Sequence, residues 1–180
     1  MFEPRQLSEN IGMRILRPSD APALAAAYVR NREYLAPWEP VRPEEYYTAA
    51  WQAADIANRL AAMKSGDGYP LGLFAGDALV GRFNVAGIVR GPFQSAGLGY
   101  WVDSKYTGRG LASTAVRVIV ETARDRLGLH RLEASTLVHN AGSQRVLVKA
   151  GFRQIGMAPR YLEIAGEWQD HNLYQIVLHD

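Results

Sequence analysis

The stretch from Gly97 to Phe152 constrains this chain more than any other. Gly97-Leu98-Gly99-Tyr100-Trp101-Val102 reads as an apolar strand and Asp103-Ser104-Lys105-Tyr106-Thr107 as a polar turn. Gly108-Arg109-Gly110 then opens a long amphipathic helix, with a further strand and a short helix behind it. A helix that starts after a glycine turn presents unpaired backbone N–H groups at the positive end of its dipole, which makes an anion site. Glycine at 108 and 110 keeps Cβ atoms away from a phosphate approaching that main chain. The stretch therefore predicts a phosphorylated ligand.

Glycine loops of several kinds hold phosphates, and the neighbouring residues discriminate among them. A P-loop needs Lys-Ser/Thr directly after its last glycine, but Leu111-Ala112 follow Gly110, which argues against triphosphate hydrolysis. A dinucleotide fingerprint would use Gly108, Gly110 and then Ser113 where a third glycine or alanine belongs, and a polar turn separates it from its strand.

The remainder of the chain supplies elements of both periods. Met13 to Arg17 reads as a strand stopped by Pro18, and Ser19-Asp20 as an N-cap for a helix over Ala21 to Val29 with Leu24, Ala25 and Tyr28 on one face. Arg30 to Pro43 is irregular, and its Tyr34 and Trp38 either wall a groove or pack the loop onto the core. A helix is expected from Glu44 to about Lys64, with Ala49, Ala53, Ile56, Leu60 and Met63 in register. Two strands joined at Gly76-Asp77 follow. After the glycine turn, a helix to about Leu127 faces the core with Ala112, Ala115, Val116, Ile119, Ala123 and Leu127, and sets Arg117, Glu121 and Arg124 outside as surface ion pairs. Arg131 to Val138 is a strand, Asn140 to Ala150 a short helix, and Arg153 to Leu178 a hairpin around Ala165-Gly166. The expected fold is α/β, one mixed sheet of about seven strands with helices on both faces, in a single domain over residues 1–180.

Composition excludes several classes. The 180 residues are 48% hydrophobic, enough for one continuous core. A net charge of +2 is too small to argue for nucleic acid by electrostatics. There is no cysteine, so disulfides, thiolate metal sites and a cysteine nucleophile are all ruled out. No apolar run approaches membrane-spanning length and no leader is evident at the N-terminus, which sets a soluble, cytoplasmic protein as the expectation. The four histidines are scattered without ligand spacing, and no metal is expected.

Lys105-Tyr106-Thr107-Gly108-Arg109-Gly110 resembles the Gln/Arg-x-x-Gly-x-Gly/Ala loop of the GNAT superfamily of N-acetyltransferases, which cradles the pyrophosphate of coenzyme A. The segment from Asn140 to Phe152 is similar to the superfamily's next element. Asn31-Arg32-Glu33-Tyr34-Leu35-Ala36-Pro37-Trp38, Gly99-Tyr100-Trp101-Val102-Asp103 and Gly166-Glu167-Trp168-Gln169-Asp170-His171 resemble the Rim-type branch, which acetylates protein N-termini, including those of ribosomal proteins. The resemblance implies a GNAT fold in which the strands at Gly97–Val102 and Arg131–Val138 are parallel neighbours that splay, with acetyl-CoA as co-substrate in the gap. It implies a pantetheine site at the main chain of Trp101, Val102 and Asp103. The backbone amides of Gly108, Arg109, Gly110, Leu111, Ala112 and Ser113, with the Arg109 side chain, are then the phosphate site.

For the departing thiolate, many relatives use a tyrosine seven residues after the asparagine, where this chain has Leu147. Rim-type proteins carry a serine three residues after it, which is Ser143 here, with Asn140 to hold the pantetheine or a water. Ser143 is otherwise an ordinary first-turn helix serine. The general base is open. Some relatives carry a glutamate where Ser104 stands, which leaves Asp103, Glu133, His139 or a water chain. Glu133 shares a strand face with Arg131, Ser135 and Leu137, and is either the base or a structural partner of a nearby arginine. Tyr34, Trp38 and His171 are the candidate acceptor residues.

The expected acceptor is a protein or peptide N-terminal amine. A small amine such as a polyamine or antibiotic would favour the carboxylates Glu33, Glu39, Glu44 and Glu45, and a non-catalytic acyl-CoA-binding module would bind without turnover. A homodimer through the C-terminal strands is expected by analogy.

Overall fold

The computed structural model describes residues 2–179. Eight strands form one sheet in the order β1-β2-β3-β4-β5-β6-β8-β7. They are β1 (Arg5–Ser8), β2 (Ile11–Ile15), β3 (Gly68–Ala75), β4 (Ala78–Val89), β5 (Ser95–Val102), β6 (Arg131–Leu137), β7 (Arg153–Ile164) and β8 (Glu167–Val177). The helices are α1 (Ala21–Arg30), α2 (Arg32–Leu35), α3 (Ala49–Ser65), α4 (Leu111–Asp125) and α5 (Ala141–Lys149).

Neighbouring residues of one strand fall into different cores, as a side-chain period of two requires. Leu79 and Phe74 pack with Leu16, Leu24, Tyr28 and Ile56 beneath α1 and α3. Val80 and Leu73 pack with Leu98, Val116, Ile119, Leu132 and Leu147 beneath α4 and α5. The sheet is thus covered on both faces, and each fully buried Leu or Ile contributes about 1.5–3 kcal/mol.

All strand pairs are antiparallel except β5 and β6, which are parallel over only Ser95–Arg131, Ala96–Leu132 and Gly97–Glu133. Beyond Gly97 the two strands part, and β5 keeps only its β4 partner as far as Val102. The gap opens at the C-terminal end of β5, where the glycine turn begins.

The structure adds one strand to the expected sheet and corrects the expectations for α3 and α4. The sheet has an eighth strand because Arg5–Ser8 pairs with β2 at the edge; it is short, polar and without alternation, so nothing in its pattern announced a strand. The helix predicted from Glu44 starts at Ala49, preceded by a single 3-10 turn at Glu44–Tyr47. Thr48 is extended between them and caps α3 by accepting a 3.2 Å bond from the Trp51 N–H. Its inner stripe runs through Gln52 and Ile56, not Ala49 and Ala53, because the Gln52 amide donates to the Tyr46 carbonyl at 2.6 Å. On α4 the Arg117 side chain meets Thr114 Oγ1 at 3.4 Å, and Arg124 pairs with Asp125, so the expected pairing with Glu121 does not form.

Candidate active site

The phosphate-facing wall is assembled around a wholly buried carboxylate. Asp103 ends β5 and accepts hydrogen bonds from Arg30 Nε at 2.7 Å, Asn31 Nδ2 at 3.0 Å and the Lys105 N–H at 2.9 Å. Asn31 completes the lock by accepting from the Ser104 N–H at 2.9 Å. Burial alone would raise the Asp103 pKa, but the hydrogen bonds from Asn31, Lys105 and Arg30 outweigh it and hold the carboxyl below its ordinary value. Four hydrogen bonds across the Asp103–Asn31 pair thereby fix the 3-10 turn Ser104–Tyr106 that aims the chain at α4.

Gly108 and Gly110 then adopt φ values of 74° and 76°, a region that only glycine enters without strain. A Cβ at either position would meet nothing within 4 Å, so the space before them is open. Gly110 is the N-cap of α4 and has no side chain to close its first turn; the first helical bond is Thr114 N–H to Gly110 O at 3.0 Å. The N–H groups of Leu111, Ala112 and Ser113 are consequently without helical partners, as an anion cradle requires.

This cradle forms one end of a cavity of about 660 Å³ that runs into the gap between β5 and β6. Of the residues singled out in the sequence, Trp101, Val102, Gly108, Gly110, Leu111, Ala112, Ser113, Asn140 and Ser143 line it, and so do Tyr34, Trp38 and His139. Residues more than a hundred positions apart thus meet. The Trp38 and His139 rings lie 5.5 Å apart at 37°, one on the loop after α2 and the other just past the end of β6. Burial, and then the neighbouring Asp103, push the Tyr34 phenol up, so it remains a hydrogen-bond donor. Trp101 is anchored from behind, its Nε1 donating to Tyr28 Oη at 3.1 Å, while Tyr28 also accepts from the buried Arg82, itself paired with Asp55.

Four predicted residues stand elsewhere. Asp103 does not line the cavity, its N–H donates to Val80 O at 2.9 Å, and its carboxylate is engaged by Arg30, Asn31 and Lys105, so it organises the turn. Glu133 lies in the paired part of β6, 3.8 Å from Arg131 and 41% exposed, away from the cavity; this is the ion-pair alternative. His171 is buried on β8 opposite Leu137, its Nδ1 2.9 Å from Gln169 O and its ring 5.6 Å from Tyr161, and it does not reach the cavity. Arg109 places its guanidinium 5.2 Å from the centre of the Tyr106 ring and also stays outside. Arg145 and Lys149 line the cavity instead. Their four-residue spacing on one helix face beside the glycine turn was a readable signal for anion binding.

Ser143 is held at the centre. Its N–H donates to Asn140 Oδ1 at 3.0 Å, an N-cap for α5, and its Oγ lies 3.0 Å from Tyr100 Oη. Among the described residues no cluster of three His, Asp or Glu side chains is placed to hold a metal ion.

The family profile described as "Acetyltransferase (GNAT) domain" matches residues 10–153. The chain belongs to the GNAT acetyltransferase family. This acetyltransferase is 34% identical to the [ribosomal protein uS5]-alanine N-acetyltransferase of Escherichia coli over 180 residues, 98% of this chain and 92% of that one. Its fold superposes on the ribosomal-protein-S5-alanine acetyltransferase of Vibrio fischeri with a TM-score of 0.95 at 30% identity, covering 99% of this chain and 98% of that one. On Mycobacterium smegmatis RimJ in complex with CoA-disulfide the TM-score is 0.88 at 30% identity, covering 93% and 81%. The acetyltransferase is therefore an N-acetyltransferase with the GNAT fold that uses acetyl-CoA, as both the profile and the CoA-bound relative require. The open glycine cradle, the unpaired amides of α4 and the basic pair on α5 fit the phosphates of that substrate.

Proposed function

We propose that this acetyltransferase acetylates the α-amine of a protein or peptide N-terminus, as a single domain over residues 1–180. The observation that carries this reading is the cavity itself. It connects a phosphate cradle to an aromatic mouth at Tyr34, Trp38 and His139, and Asn140 and Ser143 lie along the way. The relatives named for acetylating ribosomal-protein alanine support the same acceptor class.

An α-amine, with a pKa of about 8, is neutral in useful amount near pH 7, whereas a lysine amine near 10.4 is not. With Asp103 locked and Glu133 remote, a weak base suffices: His139 at the mouth, or water relayed to solvent. The chain's groups then orient the amine between the aromatic rings, hold the pantetheine along the free edge of Trp101 and Val102, and offer the Ser143 hydroxyl to the leaving sulfur.

A polyamine or aminoglycoside would need free carboxylates at the mouth. Glu44 pairs with Arg32, and burial pushes the Glu39 pKa up despite its 3.7 Å approach to Arg42. Of the four carboxylates only Glu33 and Glu45 then stay exposed with no ion pair among the described residues, which weakens the case for a polycation.

Cytoplasmic residence and a homodimer across the β7–β8 ribbon, which carries exposed Ile155, Met157, Tyr161 and Trp168, complete the proposal. Among the described residues no helix is long and apolar enough to cross a membrane.

The test is release of free CoA thiol from acetyl-CoA with N-terminal peptides, their blocked forms, polyamines and aminoglycosides. The protein has no cysteine and gives no thiol background. Turnover with the free peptide and none with its blocked form is the expected result, with Ser143→Ala lowering kcat about tenfold or more. Turnover with amines alone overturns the acceptor, and binding without any turnover supports a non-catalytic module.

A further inference from the structure

We propose that Tyr100 is a positioning residue that keeps the proton of the Ser143 hydroxyl directed into the cavity, toward the departing sulfur. The inference rests on the assignment of Ser143 made above. A serine hydroxyl carries one proton and two lone pairs and rotates to suit its neighbours, so by itself it is a poorly aimed donor. Tyr100, near the C-terminal end of β5, reaches it on the first turn of α5. Its Oη lies 3.0 Å from Ser143 Oγ and 3.3 Å from Ser143 O, and both side chains line the cavity.

The phenol has a single proton and two places to put it. Donated to Ser143 O, it leaves a phenol lone pair that attracts the serine proton away from the ligand. Donated to Ser143 Oγ, it occupies a serine lone pair and leaves the serine proton free to point into the cavity. Negative charge growing on sulfur selects the second arrangement, because a hydrogen bond to an ionised acceptor is about twice as strong as a neutral one, and donors in a chain polarise one another. In that step the bond between the amine nitrogen and the carbonyl carbon forms. The carbon–sulfur bond breaks with its electron pair going to sulfur, and the proton released by nitrogen passes to solvent. Tyr100 and Ser143 supply hydrogen bonds and lose no proton.

The environment suits Tyr100 to donate and not to ionise. Its ring stacks on fully buried Phe83, with centroids 5.2 Å apart and planes 9° apart, which fixes the direction of the C–O bond. Burial pushes the phenol up to about 12, against the opposing Ser143 bond, so the proton is present throughout the neutral range. The sequence placed Tyr100 in a family-like stretch but did not show its contact with Ser143, which is 43 residues away on another element.

The test compares Tyr100→Phe, Ser143→Ala and the double variant, with acetyl-CoA and a peptide bearing N-terminal alanine. Phenylalanine keeps the stack on Phe83 and removes only the hydroxyl. Calorimetric binding of acetyl-CoA, expected within about twofold of the parent, verifies the fold of each variant. The expected result for Tyr100→Phe is a kcat lowered about tenfold with the KM for acetyl-CoA unchanged. The double variant should be no slower than Ser143→Ala alone, since Tyr100 acts only through Ser143. Independent, multiplying losses would overturn the inference, as would a Tyr100→Phe defect confined to KM. A harmless Tyr100→Phe beside a slow Ser143→Ala overturns this inference alone. A harmless Ser143→Ala removes the assignment beneath it.

Discussion

On the proposed reading, the phosphate-facing wall, Asp103 to Ser113, would act through its main chain, whereas the acceptor-facing wall, Asn31 to Tyr47, would act through its side chains. On the first wall the working groups are amides, and the side chains serve to set φ and close a turn. On the second, Trp38 finds His139, and the guanidinium of Arg32 lies 4.3 Å from the centre of the Tyr47 ring and pairs with Glu44. A main-chain site needs one backbone path and tolerates many side chains. A side-chain site exists only after the tertiary fold has brought its parts together, and it is free to vary with the acceptor.

The walls are joined at one point, and breaking it should have the largest effect. Asn31 begins the acceptor loop and, with Arg30, holds the carboxylate that fixes the phosphate turn. Asp103→Ala removes one of the two acceptors of the fully buried Asn31 amide, which keeps Ala27 O, and the carboxylate partner of Arg30, so a loss of about 2 kcal/mol is expected in urea unfolding. Donor and acceptor affinity should fall together, which no substitution confined to one wall will do. The folded pKa of Asp103 is depressed, so its contribution is complete above the ordinary carboxylate value of about 3.9 and is lost as pH falls through the lower folded value. The stability gap between the parent and Asp103→Asn should accordingly be constant near neutrality and narrow below about pH 4.

Gly110→Val tests the main-chain wall alone. A β-branched residue at φ 76° is strained, and its side chain occupies the open cradle. Acetyl-CoA affinity by calorimetry should fall about 10- to 100-fold, while the peptide KM at saturating donor stays within about twofold. Equal losses on both sides would mean that the walls are one unit.

This asymmetry accounts for what was legible in the sequence. Gly108, Gly110 and the amphipathic helix that follows are local signals, and local chemistry makes that wall, so the cradle was predictable, whereas the splayed strands were implied only by the resemblance to the GNAT superfamily. Thr48, which caps α3 four residues after the expected start at Glu44, competes with an equally plausible acidic first turn, and only the buried Tyr46 and Gln52 contact decides between them. Strand alternation put Glu133 on a definite face but gave no indication of how far from the gap β5 and β6 remain paired. Arg145 and Lys149 were readable in spacing; Tyr100 beside Ser143 was not, being a contact across the gap itself.

Trp38→Ala sharpens the comparison from the other wall. It deletes the ring that faces His139 and leaves the glycine turn untouched. An aromatic pair of this kind contributes about 0.5–1.5 kcal/mol beyond its buried area, so the peptide KM should rise about two- to tenfold with acetyl-CoA affinity unchanged. His139→Ala should match Trp38→Ala in KM if stacking is the role of the imidazole. If His139 also accepts the amine proton, kcat should fall as well.

The smallest effect is expected at Glu133, which belongs to neither wall. It sits where β5 and β6 are still hydrogen-bonded, before the gap opens, and its carboxylate is exposed beside Arg131 at 3.8 Å. A surface pair of that length contributes between nothing and about 1 kcal/mol, so Glu133→Gln should change kcat and stability by less than about twofold and 1 kcal/mol. A fall in kcat of tenfold or more, with peptide KM unchanged, would show that Glu133 reaches the reacting amine in the working enzyme. The parallel pair would then have to open further toward Gly97 when both substrates are bound, and the acceptor wall would extend past His139 along β6.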